Sequence, residues 1–582
     1  MKHLLQHFKT LTKHPQNAEE LKGLILQLAV QGKLTENWRQ ENPNVEPASN
    51  LLERIKEEKK VLIAEKKIKK DKALPPIEVH EKPYDLPKSW IWCRLGEVSQ
   101  IGSSKRIYKS DYVDEGIPFY RSKEIGDFSR GEKAKSRLFI SESKYKELSQ
   151  KFGAPAKGDL LITSVGSIGN TWISDGRAFY YKDGNITQIS KSNFVNNEFV
   201  QLFVKSPTFI NEVLGKVSGT AYSALTIVKL KKLTFMLPPL EEQRAIVAMV
   251  NELFAEVEQL EEATKTRIQL KKDFVTSALQ RLSQVENVHQ EWQFLQPHFT
   301  EFFTEKSTIK QLRDTILQLA VQGKLTQTWR AQNPELVSGP HHTSELLKRI
   351  QTEKQQLIAQ KKIKKEKSLP PIEDHEKPYD LPEGWVWCRM GDISEKLGAG
   401  STPTGGKSAY VEEGIKFFRS QNIYNDYLKL EQVAFITDVI HEKMKCTKVK
   451  PKDILLNITG GSIGRCALIP DAFDTANVSQ HVAIVRMIEL EMRGYIHQFI
   501  LSPGFQDRIM DVQVGVSREG LSMTKLKMFP TPLPPLKEQK AIVKQVNTLM
   551  ALCDSLEEHI ENSQTQIEQL LQSCLREVFE VQ

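Results

Sequence analysis

The sequence predicts an α+β protein made by tandem duplication: two mixed α/β domains joined by long helices that pair as an antiparallel coiled coil, with pseudo-twofold symmetry. Three observations carry this. First, residues 25–35 read ILQLAVQGKLT and residues 316–326 read the same. Residues 66–87 and 361–382 differ at three of 22 positions, and LPPLEEQRAIVAMVNELF from Leu237 is matched by LPPLKEQKAIVKQVNTLM from Leu533. A repeat of half the chain is far too long for a solenoid unit and implies two lobes. Second, long apolar stripes at helical spacing follow Pro238-Pro239 and Pro534-Pro535. Third, the regions between the matched segments diverge yet contain short strand-like runs closed by a shared G-S-I-G turn.

Taken in order, residues 1–84 form a helical segment and linker, the counterpart of 295–379. Leu21 to Val30 repeats apolar residues at helical spacing, with Gly32 as C-cap. Leu51 to Lys70 reads as a second helix that ends before Leu74-Pro75-Pro76, and PPIEVHEKPYDLP as an extended linker. Residues 85–237 are the first α/β domain, where Asp159–Val165 is a strand, Gly166–Gly169 a turn and Asn170–Ser174 the return. Residues 238–379 are a central helical region with its linker, and 380–533 the second α/β domain. There Ile454–Thr459, Gly461–Gly464 and Cys466–Ile469 repeat the hairpin. Residues 534–582 are the closing coiled-coil helix. Trp90, Trp92, Trp385 and Trp387 are expected as core anchors.

In the last helix Ile542, Val546, Leu549, Cys553, Leu556, Ile560, Ser563, Ile567, Leu570 and Cys574 step by alternating four and three, a heptad seam. The first copy shows Ile246, Val250, Leu253, Val257 and Leu260 before the seam drifts. A helix of about 44 residues spans roughly 66 Å and cannot bury its stripe alone. Its equivalent in the other repeat is the natural partner. By the same reasoning the stripe Leu21, Leu24, Ile25, Leu28 and Ala29 needs a groove. It is expected to lie as if it continued the last helix, bringing Leu5 near Phe579.

The chain carries 81 Lys+Arg against 73 Asp+Glu, a mild net charge of +8 that permits nucleic-acid binding. Its distribution is uneven: residues 88–237 hold 23 basic and 14 acidic side chains, net +9, while 383–533 hold 18 and 17, net +1. No C-x-x-C pair is present, and Cys93 and Cys388 occupy matching places as packed thiols. The polar start and the lack of a long apolar run point to a cytoplasmic protein with no membrane contact. Enzyme signatures are missing. Gly400–Ser408 resembles a phosphate-binding loop but has one residue too many before Lys407. There is no [DN]-P-P-[YFW], H-E-x-x-H or EF-hand loop. No catalytic residue and no metal ligand is expected, and His481 is expected to be packed.

The I-x-Q-L-A-V-Q-G-K-L-T segment with its following W-R, the KKIKK…LPPI…EKPYDLP-x-x-W-x-W stretch and the two P-P-L-x-E-Q-x-x-I helix starts resemble the specificity subunits of type I restriction–modification systems. The likeness runs along essentially the whole chain. It implies two target-recognition domains, each reading half of a bipartite double-stranded DNA site, on a coiled-coil frame. It also implies two modification methyltransferase subunits as partners, using S-adenosylmethionine to methylate adenine, and restriction subunits using ATP and Mg. This chain itself holds no cofactor. A stand-alone nuclease or methyltransferase, and a coiled-coil scaffold with protein-binding inserts, remain as alternatives.

Base readout is expected on loops, from Lys105, Arg106, Arg121, Lys123, Ser167, Asn170, Asn185 and Tyr222 in the first domain. In the second it is expected from Lys407, Arg419, Gln421, Asn422, Ser462, Arg465, Gln480 and Arg518. Arg, Gln and Asn form paired hydrogen bonds to base edges, whereas Lys mostly meets phosphate.

Overall fold

The structure is a computed structural model that describes residues 17–214, 224–513 and 520–580. The chain divides into two compact units, residues 1–267 with 565–582, and residues 268–564. Four helices organise them: α1 (Asn17–Val30), α2 (Leu240–Gln284), α3 (Lys306–Val321) and α4 (Leu536–Glu580). Both 45-residue helices start directly after a Pro-Pro pair, where the missing N–H groups are no loss.

In the first unit the expected stripe of α1, Leu21, Leu24, Ile25, Leu28 and Ala29, is buried. It packs with Ile246, Val250 and Val257 of α2 and Ile567 of α4 in one core. Lys22 meets Glu258 at 3.2 Å and Thr35, beyond the end of α1, meets Glu242 at 2.7 Å, so α1 and α2 run antiparallel. Leu5, expected to adjoin Phe579, lies outside the described residues.

The second unit repeats this with different pieces. Lys271 donates to Glu301 O and Thr276 to Gln311, so the chain returning as α3 runs parallel to the last part of α2. Lys306 reaches Glu561 at 2.7 Å while Arg313 reaches Asp554 at 2.6 Å, so α3 opposes α4. Within this unit, therefore, α2 and α4 run in opposite directions. Val275, Leu279 and Leu282 share a core with Ile542, Val546, Cys553, Leu556 and Ile560. Leu253, Leu260 and Leu549 are only partly buried. Leu570 is a correction: it is 39% exposed although it lies on the expected seam.

The helix expected to reach Lys70 ends at Ala64. Lys66 adopts φ 59°, and the Lys66 and Lys67 amides donate to Ile63 and Leu62 carbonyls, closing the last turn. Lys361 repeats this at φ 56°. The basic run thus leaves the helix rather than extending it. The segment after it is a strap: Arg94 donates to the Pro75 and Pro76 carbonyls, and Arg389 to those of Pro370 and Pro371.

Each α/β domain opens and closes on one two-stranded ribbon, Ile91–Arg94 with Thr234–Leu237 and Val386–Arg389 with Pro530–Leu533. On that base stand two sheets. In the first domain Ile101–Gly102, Ile186–Ile189, Leu160–Thr163 and Thr171–Ile173 are antiparallel neighbours in that order. The second sheet pairs Ile117–Tyr120 in parallel with Tyr180–Tyr181. The second domain repeats both sheets, with Ile415–Phe418 parallel to Ala476–Val478 and one added strand, Lys448–Val449. The expected hairpins are present, Leu160–Thr163 with Thr171–Ile173 and Ile454–Asn457 with Cys466–Leu468. Among the described residues no helix is long and apolar enough to cross a membrane.

Candidate nucleic-acid interface

The identical segments of the two repeats meet at one buried node in each unit. Glu242, fully buried on the first turn of α2, accepts from Trp90 Nε1 at 2.8 Å, Thr35 Oγ1 at 2.7 Å and Arg39 Nη1 at 2.6 Å. Glu538 accepts from Trp385 Nε1 at 2.8 Å, Thr326 Oγ1 at 2.7 Å and Arg330 Nη1. Burial raises the Glu538 carboxyl above its ordinary value, opposed by Arg330 and the neutral donors. Trp90 and Trp385 are buried as expected, while Trp92 and Trp387 are half-buried against Tyr84 and Tyr379 at 5.2 and 5.3 Å. Gly32 has φ +71°, and a Cβ there would lie 2.7 Å from Pro87 and 3.1 Å from Trp90. The repeated glycine is required because the chain passes against the indole. A second pair of nodes holds the strap: Arg94 grips Glu81, and Arg389 grips Glu376. Those hydrogen bonds hold both carboxyls at about 2.

On this frame the first domain gathers its loops on one surface. Ser104 Oγ donates to Tyr181 O, Ser103 Oγ to Ile186 O, and Arg106 meets Asp183 at 3.2 Å, which lays the 103–106 loop over the 182–185 turn. Lys105 stands over the Phe152 ring at 4.8 Å. The Asn185 carbonyl accepts from Ser164 N, and Ser122 Oγ donates to Val165 O, tying the hairpin turn to the corner at Arg121. Ser167 and Asn170 lie in that hairpin turn, which Thr163 closes through Oγ1 to the Ser167 carbonyl and from the Asn170 amide. Lys105, Arg106, Arg121, Ser167, Asn170 and Asn185 are thus linked through contacting loops. Lys123 is exposed on the helix Ser122–Ser129, and Tyr222 lies outside the described residues. Burial raises the Tyr112 phenol, and the nearby Arg121 charge opposes this.

The second domain has the same skeleton with different side chains. Asn457 Nδ2 donates to Ser420 O at 2.9 Å and to Ser462 Oγ at 3.1 Å, joining the Arg419 corner to the 460–464 turn. Arg465 occupies the place of Asn170: the Thr163 amide donates to the Asn170 carbonyl, and the Asn457 amide to that of Arg465. Its guanidinium lies 4.5 Å over Tyr424, which stacks on Tyr427 at 5.0 Å. Gln421 and Gln480 are exposed. Lys407 is exposed on the turn Gly406–Ala409, before an edge strand and outside any strand–loop–helix unit. Arg518 lies outside the described residues.

Two expectations are corrected. Asn422 is 1% exposed; its Oδ1 accepts from Arg419 N and its Nδ2 donates to Lys429 O, so it shapes the corner from inside. His481 is exposed rather than packed, bonded to Thr459 Oγ1 at 2.6 Å. The Ile458 amide donates to its carbonyl as the Ser164 amide does to that of Asn185, so His481 is the counterpart of Asn185. It lies just before the strand Val482–Met487, and that boundary was the available signal. The shared K-S-x-Y-V run makes Lys109 the counterpart of Lys407. Among the described residues no group of three or more His, Cys, Asp or Glu side chains is placed to hold a metal ion.

A family model for the type I restriction modification DNA specificity domain matches residues 87–270 and 382–566. The chain is 28% identical to the specificity subunit of the Escherichia coli type I restriction enzyme EcoAI, over 94% of this chain and 92% of that one. It is 27% identical to the EcoEI specificity subunit, also of Escherichia coli, over 94% and 91%. Among solved structures, a chain from work on complex assembly and conformational transition of the type I R-M system aligns at 18% identity and TM-score 0.45, covering 85% of this chain and 99% of that one. The HsdS subunit from Thermoanaerobacter tengcongensis aligns at 18% and TM-score 0.39, covering 86% and 100%. Both TM-scores are below 0.5, so the fold is read from this chain's own geometry.

Proposed function

Because the chain belongs to the type I restriction–modification DNA specificity family, we propose that it reads a bipartite, asymmetric double-stranded DNA site, one half with each α/β domain. It is a specificity subunit. In this reading it is non-catalytic and recruits two modification methyltransferase subunits that methylate adenine, with restriction subunits joining the assembly. S-adenosylmethionine, ATP and Mg2+ then belong to the partners.

The observation that supports this most is the contrast between frame and loops. Glu242 and Glu538 hold near-identical nodes, while the loop clusters above them present Asn170, Asn185 and Lys105 in one domain and Arg465, His481 and Tyr427 in the other. One mounting carrying two different faces suits a protein that holds two identical partners against two different sequences.

The test is to express the chain with its methyltransferase and sequence the methylated adenines. A motif of two specific halves separated by an unread spacer supports the reading. Methylation that does not change when the chain is omitted contradicts it.

A further inference from the structure

Arg121 and Arg419 directly follow equivalent strands in the shared G-I-x-F-[YF]-R-S run, each strand parallel to one neighbour and antiparallel to the other. Their backbone N–H groups donate to the side chain three residues on, Glu124 at 2.8 Å and Asn422 at 3.0 Å. Both corners are tied to the neighbouring hairpin turn, through Ser122 and through Asn457. The two side chains therefore leave the fold from the same backbone posture.

Their guanidinium groups differ sharply from those of the frame. Arg94 and Arg389 use Nε and both terminal nitrogens on carbonyls and a carboxylate. The Nε of Arg121 and that of Arg419 are each buried without an acceptor among the described residues. Arg121 meets Glu124 at 3.6 Å from its Nη2, and its side chain is 41% exposed. Both residues are only partly buried, which leaves their terminal nitrogens, rather than the buried Nε, open to an acceptor outside the chain at the same place in both domains.

The residues around these arginines change between domains: Glu124 against Asn422, Asn170 against Arg465, Asn185 against His481. Two half-sites of different sequence share no base pattern, but they share a phosphate backbone. A side chain retained while its neighbours diverge matches the shared part. Resting on the DNA-reading function proposed above, we infer that Arg121 and Arg419 are equivalent anchors for a backbone phosphate, one per half-site, and do not read bases. Glu124 tempers the charge of Arg121, whereas neutral Asn422 stands in its place beside Arg419. Arg419 is therefore the stronger anchor.

The experiment uses the full chain assembled with its methyltransferase. The probes are a duplex carrying the methylated motif and a set with one base pair changed in each. Affinity is measured across salt concentrations for Arg121→Ala, Arg419→Ala and the corresponding Lys variants, with melting curves as the folding control. Each Ala variant should weaken binding by the same factor on every duplex, lower the slope of log affinity against log salt by about 1, and leave the methylated motif unchanged. The Lys variants should restore the slope, because a phosphate accepts a point charge where a guanine edge needs the fork. A changed base preference, an unchanged slope, or failure of folded Lys variants to restore it overturns the inference. Wild-type complex that shows no motif-dependent binding overturns the proposed function instead, and the inference with it.

Discussion

Trp90 donates its indole N–H to Glu242 across 152 residues of chain, at 2.8 Å and out of contact with water. That bond joins the entrance ribbon of the first α/β domain to the first turn of α2, and Trp385 with Glu538 repeats it. The geometry of each α/β domain relative to its helix therefore depends on one buried carboxylate and three donors.

Glu242→Ala should destabilise the first unit. Breaking a buried ion pair by removing one partner costs about 3–5 kcal/mol. Arg39 remains about one-fifth exposed, which places the expected loss at the lower end, about 3 kcal/mol. Glu538→Ala should cost at least as much, since Arg330 is only 13% exposed. Urea unfolding of each variant checks this; equal stability to wild type would show that the node is not part of the frame.

Acid should loosen both straps together. Glu81 and Glu376 ordinarily titrate near 4.5 and are held at about 2 by Arg94 and Arg389. A depressed carboxyl contributes stability that is fully present above its unfolded value and is lost as pH falls through the folded one. The loss should therefore run from about pH 4.5 down to about pH 2. Glu81→Gln with Glu376→Gln should lower stability at neutral pH and flatten that decline. A variant with an undiminished acid transition would assign it elsewhere.

Gly32→Ala and Gly323→Ala should each lose more than about 1 kcal/mol, because a side chain is strained at positive φ. The added carbon would also lie 2.7 Å from Pro87 in one case and 2.6 Å from Pro382 in the other. Thermal melting reads the effect.

Specific readout should reside where the two domains differ. Arg465→Ala should relax methylation at one base position by about 1–3 kcal/mol of discrimination and leave the other half-site intact. His481→Ala should act on the same half-site. Sequencing methylated adenines distinguishes this from a uniform loss, which would assign both residues to the phosphate backbone.

The frame was legible in the sequence because identical segments must make identical contacts. Thr35, Arg39, Trp90 and Glu242 recur as Thr326, Arg330, Trp385 and Glu538, and each set closes one node. Helix α1 and its stripe followed from helical periodicity, and both hairpins from strand-like runs closed by the shared G-S-I-G turn. The loops were harder. Whether Asn422 faces solvent or caps its own corner depends on Lys429, seven residues away, and no local pattern records that. His481 borders a wholly buried strand, and its exposure is set by the hydrogen bond to Thr459 in the adjacent turn. The basic run at Lys66 looked helical because lysine favours helices, but the chain closes there in a left-handed turn that propensity alone misses. Leu570 keeps the heptad spacing yet is 39% exposed, since spacing alone does not fix what lies against it.

If two independent α/β domains each read one half-site from one frame, exchanging a single domain changes a single half of the target. Residues 88–237 are replaced by the corresponding domain of another specificity subunit, the hybrid is expressed with its methyltransferase, and the methylated adenines are sequenced. The expected motif keeps one half and the spacer and changes the other half only. A motif altered in both halves, or a palindromic motif in the parent protein, would contradict the claim.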